Sequence, residues 1–150
     1  IVASFNYLSI GQIAGSGKDE VLLMLGGTGL GLDFVVMKYF ATLTSLASTI
    51  PGGLFMPSIS IGAGIGSEVA SFYTQIDTQV IIIMAMIAYL SAVIRAPLTS
   101  VFVILEMTTT LHLLIPGLMV AFIASWISKQ IFTQPIYEAL ADNYLKLTGK

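Results

Sequence analysis

Three long stretches of the chain contain no charged residue, and their length limits the possible folds more than any other feature. Residues 39–67, 78–94 and 107–128 hold no Asp, Glu, Lys or Arg. A bilayer core about 30 Å thick is crossed by about 20 apolar residues in a helix. Backbone polar groups in lipid must be satisfied within the protein, and a helix does this along its own length. The sequence therefore predicts an all-α integral membrane protein.

The composition supports this interpretation and excludes several classes of function. Hydrophobic residues make up 56% of the chain and charged residues 9%, whereas roughly a quarter of the residues in soluble domains are charged. The apolar segments are continuous instead of alternating, which argues against a transmembrane β-barrel. A net charge of -2 offers no basic surface for nucleic acid, and the absence of cysteine excludes a thiolate metal site.

Two groups of glycines resemble nucleotide-binding loops only superficially. Gly17-Lys18 is followed by Asp19 instead of Ser or Thr, so a phosphate loop is not formed, and residues 15–20 are expected to make a polar turn. The glycines at 26–31 and at 62–66 do not have the dinucleotide spacing. Close packing of helices against small residues is the expected use of both groups.

A break within the first charge-free stretch is the most informative local feature. A helical pattern from Asp33 to Ser48 is stopped by Pro51-Gly52-Gly53, and a second helix is expected to begin at Leu54. Neither piece alone is long enough to cross a bilayer. Because a broken helix at membrane depth must be buried in protein or line a cavity, residues 51–55 are the best candidate for a site.

The rest of the chain is predicted to be helical as well. Segment 78–94 is expected to span the membrane, and a short helix is expected from Pro97 to about Thr108. A long helix is expected over 111–132, where Pro116 can introduce a kink. Lysines near the end favour a cytoplasmic carboxy terminus. With no initiator Met and no charged region before an apolar one, we expect no signal peptide and a piece of a larger protein.

The helix that begins at Leu54 is suited to binding an anion. Its first N–H groups lack intrahelical acceptors, and the helix dipole places about half a positive charge there. Gly52 and Gly53 leave the backbone accessible, and Pro57 falls in the first turn, where its missing N–H costs no helical bond. A Pro-Gly kink that serves only packing is the competing interpretation, and the residues alone leave both open.

Three motifs resemble those of the CLC family of chloride channels and proton/chloride exchangers. Residues 52–57 (Gly-Gly-Leu-Phe-Met-Pro) are similar to the family signature Gly-Gly-Ile-Phe-Ala-Pro. Residues 94–99, with Leu-Glu-Met-Thr at 105–108, resemble a later signature, and residues 135–137 (Pro-Ile-Tyr) match the family's last helix. The three motifs share the family's order and separation, which makes the resemblance specific.

The resemblance implies a fold and a site. The chain would be the carboxy-terminal half of a CLC membrane domain over 1–150, with tilted and broken membrane helices at about 20–132 and a final helix at 135–148, the second of two inverted repeats. The amides of Leu54 and Phe55 and the Tyr137 hydroxyl would bind chloride. Gly52, Gly53, Met56 and Pro57 would shape the site, and no cofactor or metal is implied.

The ionisable residues in the predicted membrane segments are expected to have structural roles. Arg95 and Glu106 are expected to serve structural ion pairs or surface anchoring, with Asp33, Lys38 and Glu68 treated alike. His112 follows three threonines, so we expect a loop or interfacial position instead of a proton relay. Nothing suggests an enzyme.

The predicted function is anion transport across a plasma or inner membrane, as channel or antiporter. The partners implied are the lipid bilayer, the missing amino-terminal half with the family's gating and proton-transfer glutamates, and a second copy in a homodimer. Two alternatives remain open: a non-transporting assembly subunit or truncation product, and a secondary transporter of another family that uses the same broken-helix device.

Overall fold

The computed structural model describes residues 17–47, 53–73 and 75–131, and this part of the chain is all helical. It contains six α-helices and a 3₁₀ turn at Leu111–Leu113, and no strand. The helices are α1 Lys18–Leu25, α2 Gly31–Ala47, α3 Phe55–Phe72, α4 Thr78–Ile94, α5 Pro97–Thr108 and α6 Leu114–Ile131. The predicted all-α fold class is confirmed.

Local chemistry explains several helix boundaries. Asp77 precedes α4, and its carboxylate accepts a hydrogen bond from the Gln79 N–H at 3.0 Å, as an N-cap should. Pro97 opens α5, where its missing N–H costs nothing. Thr109 ends α5 in the left-handed conformation, with φ at 54°. The predicted limits of α5 are therefore confirmed.

Two predictions about the beginning of the chain are wrong. Lys18, Asp19 and Glu20 form the first turn of α1 instead of a polar turn. Their charges agree with this, because acidic residues near a helix N-terminus interact favourably with its dipole. In the glycine group at 26–31, Gly27 and Gly31 do not support close packing: both have positive φ, and a Cβ on either would meet no atom of the described residues within 4 Å, whereas a Cβ on Gly29 would lie 3.3 Å from the Ser67 hydroxyl oxygen. Gly27 and Gly31 serve the turn between α1 and α2.

The chain divides into two compact units, with the boundary in α4 between Met86 and Ile87. In the first unit α3 is the central helix, with α1 and α2 packed against it. Its residues from Ser58 to Gly64 are all buried. A Cβ on Gly64 would lie 2.6 Å from a Val35 methyl group, and one on Gly66 would lie 2.7 Å from the Ile82 Cα. The predicted packing role of this second glycine group is confirmed at both positions.

In the second unit, polar side chains join the end of α4 to α6. The Ser91 hydroxyl donates to the Ala121 carbonyl at 2.7 Å, and the Ser128 hydroxyl donates to the Ala92 carbonyl at 2.7 Å. Gly117 lies close to α4, since a Cβ there would be 3.1 Å from the Ile87 Cδ1. Small residues and hydroxyls of this kind are common where membrane helices pack together.

The segment 111–131 differs in detail from the predicted single long helix. It begins with the 3₁₀ turn, and Pro116 falls in the first turn of α6, where its missing N–H costs no helical hydrogen bond. By length and composition, Leu111–Ile131 is the one segment of the described residues that could cross a membrane. Helix α4 covers Thr78–Ile94, the bounds that the sequence predicts, and its 17 residues, or about 25 Å, are at the short end of the range for a spanning helix.

The contact between Gly66 and α4 gives a prediction about stability. We expect Gly66→Ala to lower the free energy of unfolding by about 1–3 kcal/mol, because the added methyl group meets backbone that cannot move aside cheaply. Denaturation in detergent, followed by circular dichroism, measures the effect. Gly53→Ala is the matched control, since its Cβ would meet nothing within 4 Å. Equal stability of the two variants would show that the close contact does not exist.

Candidate anion site

The candidate site is the amino-terminal end of α3. Leu54 is the N-cap residue, with φ -74° and ψ -19°, and Phe55 is the first helical residue. The predicted helix start is thus confirmed to within one residue. The first backbone hydrogen bond at this end runs from the Ser58 N–H to the Leu54 carbonyl at 3.1 Å. The N–H groups of Phe55 and Met56 therefore precede the first intrahelical bond.

The immediate surroundings suit a negative ion. The first turn of α3 contains no acidic residue, so no carboxylate of that turn competes for the partial positive charge of the helix end. Pro57 occupies the third helical position, where it has no N–H to leave without a partner. The site thus offers dipoles, without a full positive charge in the turn itself.

Burial differs sharply along these few residues. Leu54 is 6% exposed, while Phe55, Met56 and Pro57 are half-buried. Gly53 is exposed, and a Cβ there would meet no atom of the described residues within 4 Å. The backbone is therefore accessible on the Gly53 side, and apolar side chains lie next to it.

The structure brings five of the seven predicted site residues together at one helix end. Gly53, Leu54, Phe55, Met56 and Pro57 are consecutive there. Gly52 and Tyr137 lie outside the described residues, so their contribution remains a prediction. The break predicted at Pro51 also lies outside the described residues, while the helix after it starts within one residue of the predicted position.

Sequence reasoning missed one side chain at this site. The buried Ser58 hydroxyl donates to the Leu54 carbonyl at 2.7 Å, and that carbonyl also accepts the Ser58 N–H. The signal was available, because a serine four residues after an N-cap position can bond back to it. Serine is common in this sequence, however, and nothing in the pattern singled this one out.

Of the two roles predicted for Lys38, a structural ion pair and surface anchoring, the structure contradicts the second. Lys38 is 2% exposed in the middle of α2, and its Cε would lie 3.3 Å from a Cβ placed on Gly17. Surface anchoring is therefore wrong for this residue. Asp33 is exposed and Glu68 is half-buried, so neither is enclosed as Lys38 is.

Arg95 and Glu106 are used differently from each other. The Arg95 guanidinium donates to the Ser128 carbonyl at 3.3 Å, which lies in the last turn of α6, where a cation complements the helix dipole. Its backbone is left-handed, with φ at 54°. Glu106 is exposed near the end of α5. His112 is exposed in the 3₁₀ turn, as the predicted loop or interfacial position requires.

Comparison with known proteins shows the family to which the chain belongs. The model of the voltage gated chloride channel family, the CLC proteins, matches residues 1–129. The chain belongs to this family. The match includes α3 and both of the signatures that resemble CLC proteins at 52–57 and 94–108, and the predicted family is therefore confirmed.

Curated CLC relatives agree along most of the chain. It is 31% identical over 148 residues to the H(+)/Cl(-) exchange transporter ClcA of Vibrio cholerae, which covers 93% of this chain and 32% of that protein. It is 29% identical over 139 residues to ClcA of Yersinia pestis, covering 87% of this chain and 29% of that protein. The chain spans about a third of the length of these relatives. No solved structure matches it.

The bond between Arg95 and α6 leads to a second prediction about stability. We expect Arg95→Ala to lower the free energy of unfolding by about 1.5–3 kcal/mol, because it removes a charged hydrogen-bond donor from a partly buried carbonyl. Glu106→Gln should change it by less than about 0.5 kcal/mol, as is usual for exposed positions. Denaturation of both variants in the same detergent tests this. A larger loss in Glu106→Gln than in Arg95→Ala would contradict these assignments.

Proposed function

We propose that this chain forms the carboxy-terminal half of a CLC membrane domain and contributes the central anion site to a chloride pathway. The observation that carries the proposal is the N-terminal end of α3, where backbone donors that precede the first intrahelical hydrogen bond coincide with the family signature at 52–57. The named relatives are H(+)/Cl(-) exchange transporters. Transport of chloride, as channel or antiporter, is accordingly the activity we assign, and catalysis is not.

Two backbone amides would hold the ion. The N–H groups of Leu54 and Phe55 donate to chloride, and the half charge of the α3 dipole adds to their attraction. A conducting site must release its ion as well as bind it, and partial charges achieve this better than a fixed lysine would. The half-buried Phe55 ring supplies an apolar wall, which keeps water away and strengthens the amide contacts.

Tyr137 would complete the site from the final helix at 135–148. Its hydroxyl can donate one hydrogen bond, which suits an anion already held by backbone amides. Gly52 and Gly53 would let the ion approach the backbone, and Met56 and Pro57 would set the start of the helix. These assignments rest on the match between this sequence and the family motifs.

The remainder of the pathway would come from a complementary amino-terminal half, including the gating and proton-transfer glutamates, which the family places there. We propose a multi-pass protein of the plasma or inner membrane that forms a homodimer, with α5 and α6 in the interface and the carboxy terminus in the cytoplasm. The exposed apolar side chains of α6, such as Ile115 at 73% and Trp126 at 64%, suit contact with lipid or with a partner. Membership of the CLC family removes the alternative of a transporter from another family.

Chloride efflux tests the proposed function. The chain is reconstituted into chloride-loaded vesicles, alone and with a complementary CLC amino-terminal half, and copurification establishes that the two halves assemble. We expect efflux only with both halves. Tyr137→Ala should weaken chloride binding roughly two- to tenfold, the range expected for loss of one hydrogen bond. Assembly without efflux would instead indicate a non-transporting subunit.

Access to the backbone can be tested separately. Gly53→Leu should reduce efflux strongly while leaving the unfolding transition unchanged, because its Cβ meets nothing within 4 Å and the side chain enters the space that an ion would use. Gly53→Ala, which is much smaller, should have a weaker effect. Efflux unchanged by leucine would mean that ions do not approach the helix from this side.

A further inference from the structure

We propose that Ser58 is a positioning residue for the anion site: its side chain fixes the peptide unit whose N–H group is one of the two chloride donors. The inference rests on the proposed function. It assigns a role to a side chain that does not touch the ion and that lies outside the signature motif at 52–57. Its basis is the double hydrogen bond that the Leu54 carbonyl accepts.

Leu54 and Phe55 are joined by one planar peptide unit. The Leu54 carbonyl and the Phe55 N–H belong to the same planar group, and in a trans peptide they point in opposite directions. No cis peptide bond occurs in the described residues. Any interaction that fixes the direction of the Leu54 carbonyl therefore fixes the direction of the Phe55 N–H.

Ser58 fixes that carbonyl with two bonds. Its N–H donates to the Leu54 oxygen at 3.1 Å, as in any helix, and its hydroxyl donates to the same oxygen at 2.7 Å. Ser58 is 3% exposed, so water does not compete readily for the hydroxyl. With both lone pairs of the carbonyl used, rotation of this peptide unit would break two hydrogen bonds.

The second bond also affects the strength of the donor. A carbonyl that accepts hydrogen bonds polarises its peptide group, and its N–H then donates more strongly. The Ser58 hydroxyl should thus fix the direction of the Phe55 N–H and also make that N–H a stronger hydrogen-bond donor. The Leu54 N–H belongs to the preceding peptide unit, which Ser58 does not hold, and it keeps more freedom to adapt to the ion.

The chain contains a matched control at the start of α5. Ser100 is also buried, and both its N–H and its hydroxyl donate to the carbonyl of the N-cap residue Ala96 at 3.0 Å. The Ala96 carbonyl, however, shares its peptide unit with Pro97, which has no N–H. Ser100 therefore makes the same bond without any donor on the opposite side.

The test compares chloride affinity in assembled protein, with the chain paired with a complementary amino-terminal half. Isothermal titration with chloride gives the dissociation constant, and denaturation gives stability. We expect Ser58→Ala to weaken chloride binding roughly two- to tenfold, the range for loss of one hydrogen bond. Ser58→Thr, which keeps the hydroxyl, should restore affinity to within about twofold. Ser100→Ala should leave affinity unchanged while losing comparable stability.

The outcomes separate this inference from the proposed function. If wild-type protein assembles but does not bind chloride, the proposed function fails, and the role of Ser58 with it. If wild-type protein binds chloride and Ser58→Ala binds it as tightly as Ser100→Ala does, only the role of Ser58 is overturned. Failure of threonine to restore affinity also overturns it. If Ser58→Ala does not assemble, Ser58→Cys replaces it, because a thiol is a weak donor in a similar volume, and normal affinity there overturns the inference.

Discussion

Backbone N–H groups at the start of a helix have no acceptor in that helix, and an apolar bilayer offers no water to replace one. A helix end enclosed by a membrane domain must therefore satisfy these groups with something else. At α3 the first turn carries no carboxylate that could do so. Pro57 has no N–H, so one fewer backbone donor needs an acceptor. In the proposed site the N–H groups of Leu54 and Phe55 are satisfied by an anion, a ligand that such donors suit.

Such a site works only if the helix behind it does not move. Gly64 and Gly66 let α2 and α4 approach α3 so closely that a methyl group would not fit at either position. All residues from Ser58 to Gly64 are buried, which also shows that α3 is packed closely by its neighbours. Packing of this density holds the helix end in one place, which allows weak partial charges to act together on one ion.

Sequence reasoning could locate the helix end but not its supports. Pro51-Gly52-Gly53 and the charge-free pieces on either side predict the start of α3, because glycine and proline act locally on the backbone. The burial of Lys38 cannot be predicted from the sequence, because it depends on neighbours distant in the chain. The roles of Gly27 and Gly31 cannot be predicted for a related reason: glycine serves turns and close packing equally well, and only the positive φ values distinguish them. Pro116 lies in the first turn of α6 because the preceding 3₁₀ turn moves the start of that helix to Leu114.

Hydroxyl groups recur where this chain must join or orient helices without charge. Ser91 and Ser128 link α4 to α6, and Ser58 and Ser100 bond back to the residue that begins their own helix. Each bond satisfies a polar hydrogen inside an apolar structure. The sites at Leu54 and Ala96 differ in the nitrogen that shares a peptide unit with the bonded carbonyl. At Ala96 this is the nitrogen of Pro97, which has no hydrogen, whereas at Leu54 it is the Phe55 N–H, so the same local motif is structural in α5 and is proposed to position an ion donor in α3.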